Sequence, residues 1–171
     1  MEPKTASQSR AIKAAIVLPP DTNSHGTIFG GRVMAYMDDV AAISAMRHAR
    51  RPVVTGSSDS VDFLHPISEG QSVCLESFVT WTHRTSMEVF VRVVGEDLLS
   101  GERTVCVTAF LTFVAVDAQG RPQPVPGVIP ETDMEKELHE GAPARARIRK
   151  ERRARARMFA ERFGAAKPWE R

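Results

Sequence analysis

Asp21-Thr22-Asn23-Ser24-His25-Gly26-Thr27-Ile28-Phe29-Gly30-Gly31 is a polar, glycine-studded loop that opens onto an apolar run reaching Ala49. Pro19, Pro20, Asp21 and Asn23 are turn formers, and the chain passes from Gly30-Gly31 into Val33-Met34-Ala35-Tyr36-Met37, the first turns of a helix. From there to Met46 only Asp38, Asp39 and Ser44 are strongly polar, so the helix is expected to be covered on nearly every side. Such a helix is central to a fold. Two carboxylates within it need a reason, because an ionised group out of water costs several kcal/mol unless it is paired or put to use.

Strand patterns lie on both sides of this helix. Ala11 to Leu18 reads as a first strand ended by Pro19-Pro20, after a polar segment, Met1 to Arg10, expected to be frayed. Arg47-His48-Ala49-Arg50-Arg51-Pro52 suits a helix C-terminus, where cations complement the carbonyl end of the dipole and proline stops the helix. Val53 to Pro66 then reads as a second strand. Ser72 to Thr82, Ser86 to Val94 and Thr104 to Val116 follow as β-branched, alternating runs, separated by Glu69-Gly70, His83-Arg84-Thr85 and Leu99-Ser100-Gly101-Glu102. One long helix and about five mostly antiparallel strands make an α+β domain in which the sheet wraps the helix.

Composition limits what the chain does. Its 171 residues, 42% of them hydrophobic, hold one domain over residues 10–130 and a charged tail over 131–171. A net charge of +2 gives no mandate for nucleic acid or a membrane surface. Cys74 and Cys106 fall within strands and lack Cys-x-x-Cys spacing, which fits small core residues in a reducing compartment, hence the cytoplasm. The first ten residues lack the apolar core of a signal peptide, and no run approaches the roughly 18 apolar residues of a membrane span. Four prolines between Pro122 and Pro130 imply an extended connector. Beyond it, Glu131 to Gly141 reads as a short helix, and Ala144 to Phe163 as an arginine-rich, solvated tail helix. That run, with Arg145, Arg147, Arg149, Lys150, Arg152, Arg153, Arg155 and Arg157, has no aromatic interleaving, so a nucleic-acid partner is not expected.

At a helix N-terminus the first backbone N–H groups are unpaired, and Gly30 and Gly31, lacking Cβ, would let a carbonyl oxygen approach them as an oxyanion hole. Asp38 has Met34, Ala35, Ala41 and Ala42 at three- and four-residue spacing, an apolar neighbourhood suited to a general base. Asp39 shares that setting, and composition does not choose between them; pairing with arginines, or capping of a nearby loop, is the structural alternative for both. His25 reads as a solvated turn residue and receives no catalytic role.

The ordered string Pro20-Asp21-Thr22-Asn23, Gly26, Phe29-Gly30-Gly31, Met34 and Met37-Asp38 resembles the signature of the hotdog-fold acyl-CoA thioesterases, in the cytosolic acyl-CoA hydrolase branch. The resemblance continues through Arg47-His48-Ala49, Val53-Val54-Thr55, Ser60 to Pro66, Gly70, Arg84 to Val89, Gly101-Glu102 and Phe110 to Ala115, and covers roughly residues 10 to 130. It implies a sheet wrapped around the long helix, homodimers whose sheets join edge to edge, and often a trimer of such dimers. It also implies an active site at the dimer interface, where Asn23 faces the partner's Asp38, with no metal and no cofactor. The implied reaction is hydrolysis of an acyl-CoA thioester to free acid and CoA, with Asp38 as general base on a water that Asn23 also holds, and the N–H groups of Gly30 and Gly31 on the thioester oxygen. Direct attack by Asp38 to give a mixed anhydride is the competing route. Arg84, Thr85 and Ser86, in a hairpin turn, are candidate contacts for pantetheine or phosphate. Two other functions suit the same fold: an enoyl-CoA hydratase or dehydratase, and a non-catalytic acyl-CoA sensor.

Overall fold

The computed structural model describes residues 1–170. In chain order it contains β1 (Lys4–Thr5), a 3-10 turn (Ala6–Ser9), β2 (Ala11–Ile16), a second 3-10 turn (Pro19–Asp21), α1 (Gly30–Ala49), β3 (Val53–Phe63), β4 (Ser72–Thr82), β5 (Ser86–Glu96), β6 (Arg103–Ala115), β7 (Val128–Ile129) and α2 (Asp133–Phe163), with a final 3-10 turn at Pro168–Glu170. The chain divides into two compact units, Met1–His139 and Glu140–Arg171.

In the first unit five strands form one antiparallel sheet in the order β2-β4-β5-β6-β3, so β2 and β3 are its edges. Alternation decides which face of the sheet meets α1. Val73, Leu75 and Val79 of β4, Met87, Val89, Val91 and Val93 of β5, and Val107, Ala109, Leu111 and Phe113 of β6 pack on Val33, Met37, Val40, Ala41 and Ala45 of the helix. Each large apolar side chain buried this way contributes about 1.5–3 kcal/mol. One polar pair lies inside the packing. Ser77 Oγ donates to Val40 O at 2.9 Å and lies 2.7 Å from Ser44 Oγ, which tethers β4 to the middle of the helix.

The helix is not covered on every side. Val33, Met37, Val40, Ala41, Ser44, Ala45, His48 and Ala49 are buried, whereas Met34, Ile43 and Met46 are between 43% and 49% exposed on the opposite face. An edge strand leaves a second surface open. β3 pairs only with β6, and register shifts at Gly56 and Asp59 break the ladder between Thr55 and Ser57 and between Ser58 and Ser60.

The N-terminal segment, expected to fray, is fastened instead. β1 pairs in parallel with β7, Ala6 and Ser9 are buried, and Ser9 Oγ receives the N–H of Val79. Lys4 Nζ donates to His48 O at 2.6 Å, placing a cation on the last carbonyls of α1. The His48 ring is buried, with Nε2 2.9 Å from Pro126 O and Nδ1 without a partner. Burial foremost, together with the Lys4 charge, holds its pKa below the ordinary 6.5, against the opposing pull of the Pro126 carbonyl.

The helix ends on Arg50 in the left-handed conformation, φ 52° and ψ 38°, with its N–H on Met46 O. Glycine is the usual residue there, and any other costs about 1–2 kcal/mol. Among the described residues Arg50 is the sole non-glycine with positive φ.

α2 begins at a reciprocal cap, in which Thr132 Oγ1 takes the Glu135 N–H and Glu135 Oε2 takes the Thr132 N–H. Glu135 also pairs with Arg10, which in turn pairs with Glu76 and stacks on Phe78 at 4.7 Å. Two tail helices were expected, but α2 is a single helix of 31 residues that continues through Pro143. In the second unit, Ile148, Met158, Phe159 and Phe163 of this helix are exposed. Among the described residues no helix is long and apolar enough to cross a membrane.

Candidate active site

The loop before α1 is shaped by Asn23. Its Oδ1 accepts the His25 N–H at 2.9 Å, its Nδ2 donates to Thr27 Oγ1 at 2.9 Å, and its backbone N–H bonds to Thr27 O. The bond from Ile28 N to Ile67 O and that from Phe29 N to Asp21 O then aim the chain into the helix. Phe29 is the N-cap, and its carbonyl takes the N–H groups of Arg32 and Val33. The N–H groups of Gly30 and Gly31 have no such partner among the described residues, as expected for a first helical turn.

At Gly31 the absence of a side chain leaves room for the exposed Phe29 ring. A Cβ there would lie 2.5 Å from Cε1 of Phe29, whose ring folds over this position. At Gly30 a Cβ would meet the Phe63 ring at 3.6 Å. Asn23, Thr27, Gly30 and Phe63, with Leu64, His65 and Val107 among the other walls, line a cleft of about 320 Å³.

Asp38 lies elsewhere. It is eight residues past Gly30, about 12 Å along the helix axis at 1.5 Å per residue. It is half-buried, and its Oδ1 accepts a 2.9 Å hydrogen bond from Thr55 Oγ1 on β3. Asp39 is exposed and pairs with Lys13 at 2.9 Å, beside Tyr36. The structure therefore separates the two carboxylates that composition left equivalent. The apolar surround expected for Asp38 is only partial in one chain, because Met34 and Ala35 face solvent.

Asn23 and Gly30 thus share one cleft, while Asp38 sits with Thr55 on another part of the surface. A nucleophile and its oxyanion donors must both lie within about 3 Å of one reacting atom. Within one chain these residues do not meet that condition. Arg84, Thr85 and Ser86 join neither group: they form the turn from β4 to β5, where Thr85 O takes the N–H of Ala115, at the end of the sheet near the C-terminus of α1. Thr55 was not singled out as a functional residue. The available signal was a hydroxyl early in the strand after the helix, which an antiparallel return brings back alongside Asp38.

A family model described as the thioesterase superfamily matches residues 25–102. An uncharacterized acyl-CoA thioester hydrolase of Bacillus subtilis is 52% identical over 98% of this chain and 98% of its own length. The chain belongs to the thioesterase superfamily. The crystal structure of an apo hexameric acyl-CoA thioesterase, 55% identical, superposes with a TM-score of 0.88 over 90% of this chain and 99% of that one. The acyl-CoA hydrolase of Staphylococcus aureus, solved with butyryl coenzyme A, coenzyme A and coenzyme A disulfide, is 42% identical, with a TM-score of 0.90 over 94% of this chain and 99% of its own. Variants of that enzyme with alanine for one asparagine, one aspartate and one threonine have also been solved. As a thioesterase-superfamily member the chain has the hotdog fold, the sheet curling around α1 as its central helix.

Proposed function

We propose that this chain is an acyl-CoA thioesterase that hydrolyses the thioester to free carboxylic acid and CoA, using Asp38 of one protomer and Asn23, Gly30 and Gly31 of its partner. One observation carries the assignment of residues. The three positions replaced by alanine in the Staphylococcus aureus enzyme are an asparagine, an aspartate and a threonine spaced 15 and 17 residues apart, the spacing of Asn23, Asp38 and Thr55 here.

The chemistry follows from these groups. Asp38 takes a proton from a water that Asn23 also holds, and the resulting hydroxide adds to the thioester carbon. The oxygen that gains charge lies on the N–H groups of Gly30 and Gly31, at the positive end of the helix dipole. Collapse expels the CoA sulfur as a thiolate, a far better leaving group than an amine, so no strong acid is needed beside it. Thr55 holds the Asp38 carboxylate in place. Arg84, Thr85 and Ser86 contact the pantetheine or phosphate groups.

Assembly completes the site. The free edge of β3 joins its counterpart in a second chain, and such dimers associate in threes, which agrees with a relative that is hexameric. The exposed Met34, Ile43 and Met46 support further cover of α1 in that assembly. The free thiols of Cys74 and Cys106, the latter kept protonated by burial, support a cytoplasmic location. The test is release of free CoA thiol from a panel of acyl-CoAs of increasing chain length. Turnover of at least one is expected, and none across the panel would overturn the assignment.

A further inference from the structure

The two compact units carry opposite charge. Glu140–Arg171 holds eleven Lys and Arg against four Asp and Glu, a net +7, whereas Met1–His139 holds twelve against seventeen, a net −5. The near-neutral whole conceals a strongly basic segment, and such asymmetry points to an anionic partner. Most of the charge stands on α2, whose residues from Ala144 to Phe163 extend about 30 Å at 1.5 Å per residue. Lys150, Arg153 and Arg157 fall within an arc of about 60° at 3.6 residues per turn. With Arg149 they surround a groove of about 360 Å³ whose other walls are Ala146 and Ala154, with no carboxylate among them.

Large apolar side chains stand on the other side of this helix. Ile148, Phe159 and Phe163 share a second arc of about 60°, Met158 flanks it, and all four are more than half exposed. Arg152 and Arg155 lie in the same arc, and an arginine stem covers apolar surface while its head stays hydrated. Beyond the helix, which closes on Gly164 with its N–H on Ala160 O, Trp169 is 78% exposed and Lys167 Nζ is 5.7 Å from its ring centre. An exposed indole beside a cation suits the headgroup level of a bilayer. A second copy of this helix is a poor partner, because +7 would face +7. Nucleic acid would satisfy the cations and leave Ile148, Met158 and Phe163 in water. An anionic lipid surface takes both: its phosphates neutralise the cations, and its acyl boundary receives the apolar side chains. Among the described residues no helix is apolar enough to cross a bilayer, so α2 would lie in the surface plane.

We propose that the second unit binds an anionic phospholipid surface, with Lys150, Arg153 and Arg157 among the lipid phosphates and Phe159, Phe163 and Trp169 in the headgroup boundary. Vesicle binding is read without turnover, so it is decided separately from the hydrolase assignment. Full-length protein is sedimented, at about 0.1 M salt, with vesicles of phosphatidylcholine alone and with vesicles containing about 30% phosphatidylglycerol. It should bind the anionic vesicles only, and salt raised to about 0.5 M should release most of it. Trp169 emission should shift to the blue on binding, and the shift should vanish in Trp169→Phe, which keeps Trp81. Each Lys or Arg near such a surface is worth about a factor of five, so the double variant Arg153→Gln, Arg157→Gln should bind about tenfold or more weakly. Phe159→Ser, Phe163→Ser should lose a similar factor, and Tm should stay level in both because all four side chains are exposed. No binding to anionic vesicles, equal binding to both kinds of vesicle, or undiminished affinity in the serine double variant would each overturn the proposal. Release of vesicle-bound protein by a single- or double-stranded oligonucleotide at equal phosphate concentration would assign the face to nucleic acid instead. Dissociation of the oligomer in either double variant, read by size-exclusion chromatography, would assign it to a contact between copies.

Discussion

Replacing Thr55 with valine isolates what a single hydroxyl does for the reaction. The side chain keeps its shape and β-branching, and the site is on an exposed part of β3, so stability should change by less than about 0.5 kcal/mol. What disappears is the 2.9 Å hydrogen bond to Asp38 Oδ1. A bond to a charged acceptor is worth about 1.5–3 kcal/mol. Solvent reaches the half-exposed carboxylate in a single chain, so the low end of that range applies to its orientation. At about 1.36 kcal/mol per factor of ten, the loss is about tenfold, and it should fall on kcat rather than KM because Thr55 holds the base and not the substrate. The assay is steady-state release of CoA thiol at saturating substrate, with Tm measured in parallel. Thr55→Ser retains the donor and should keep most of the rate. If Thr55→Val stays within twofold of wild type, or Thr55→Ser is as slow as Thr55→Val, the hydroxyl does not position Asp38.

Asp38→Asn should reduce kcat by about 10²–10⁴ with Tm unchanged, whereas Asp39→Asn, which loses only a solvent-exposed pair with Lys13, should retain most activity by the same thiol assay. Inactive Asn23→Ala and inactive Asp38→Ala chains, mixed under conditions of verified subunit exchange, should regain activity, because each mixed dimer keeps one intact site; a mixture that stays dead refutes the shared site. Stability should depend on His48: its pKa is lowered in the folded state, so the unfolded chain takes up the proton first, and stability present above about pH 6.5 is lost as pH falls below that value. Urea denaturation at a series of pH values should show this acid-side slope in wild type and a flatter one in His48→Gln.

Alternation and turn chemistry made most of the fold legible. Ser72 to Thr82 is a strand with the expected bounds, and Gly30-Gly31 opens the helix, because those features are written locally, in every second residue or at a single turn. What escaped was non-local. Lys4–Thr5 and Val128–Ile129 pair over two residues each, too few to leave a period in the sequence. The tail was expected as two helices, Glu131 to Gly141 and Ala144 to Phe163, but the surrounding helix formers carry one helix through Pro143. The expectation that α1 is covered all round failed for a single chain, because the sheet reaches only one face of the helix and Met34, Ile43 and Met46 lie on the other. The candidate site was legible in parts. Its motif names Asn23, Asp38 and the glycine pair, whereas the placing of Asn23 and Gly30 in one cleft and of Asp38 beside Thr55 follows from the rise of the helix and is invisible in a string of letters.

The clasp at the end of α1 also has a kinetic meaning. It joins Lys4, His48 and the connector at Pro126 to Val128, and the paired residues of β1 and β7 are 124 positions apart. Closing so long a loop yields little until the sheet and helix already stand, so these contacts should form late in folding and open first in the native state. Opening exposes the His48 ring to water, and below pH 6.5 the exposed ring binds a proton and resists reburial. Amides of Lys4 and Val128 should therefore exchange with solvent faster than those of Val89 and Val91. Allowing for the intrinsic pH dependence of exchange, the gap should widen as the solution becomes acidic, so that acid loosens the basic end of the helix before it melts the domain.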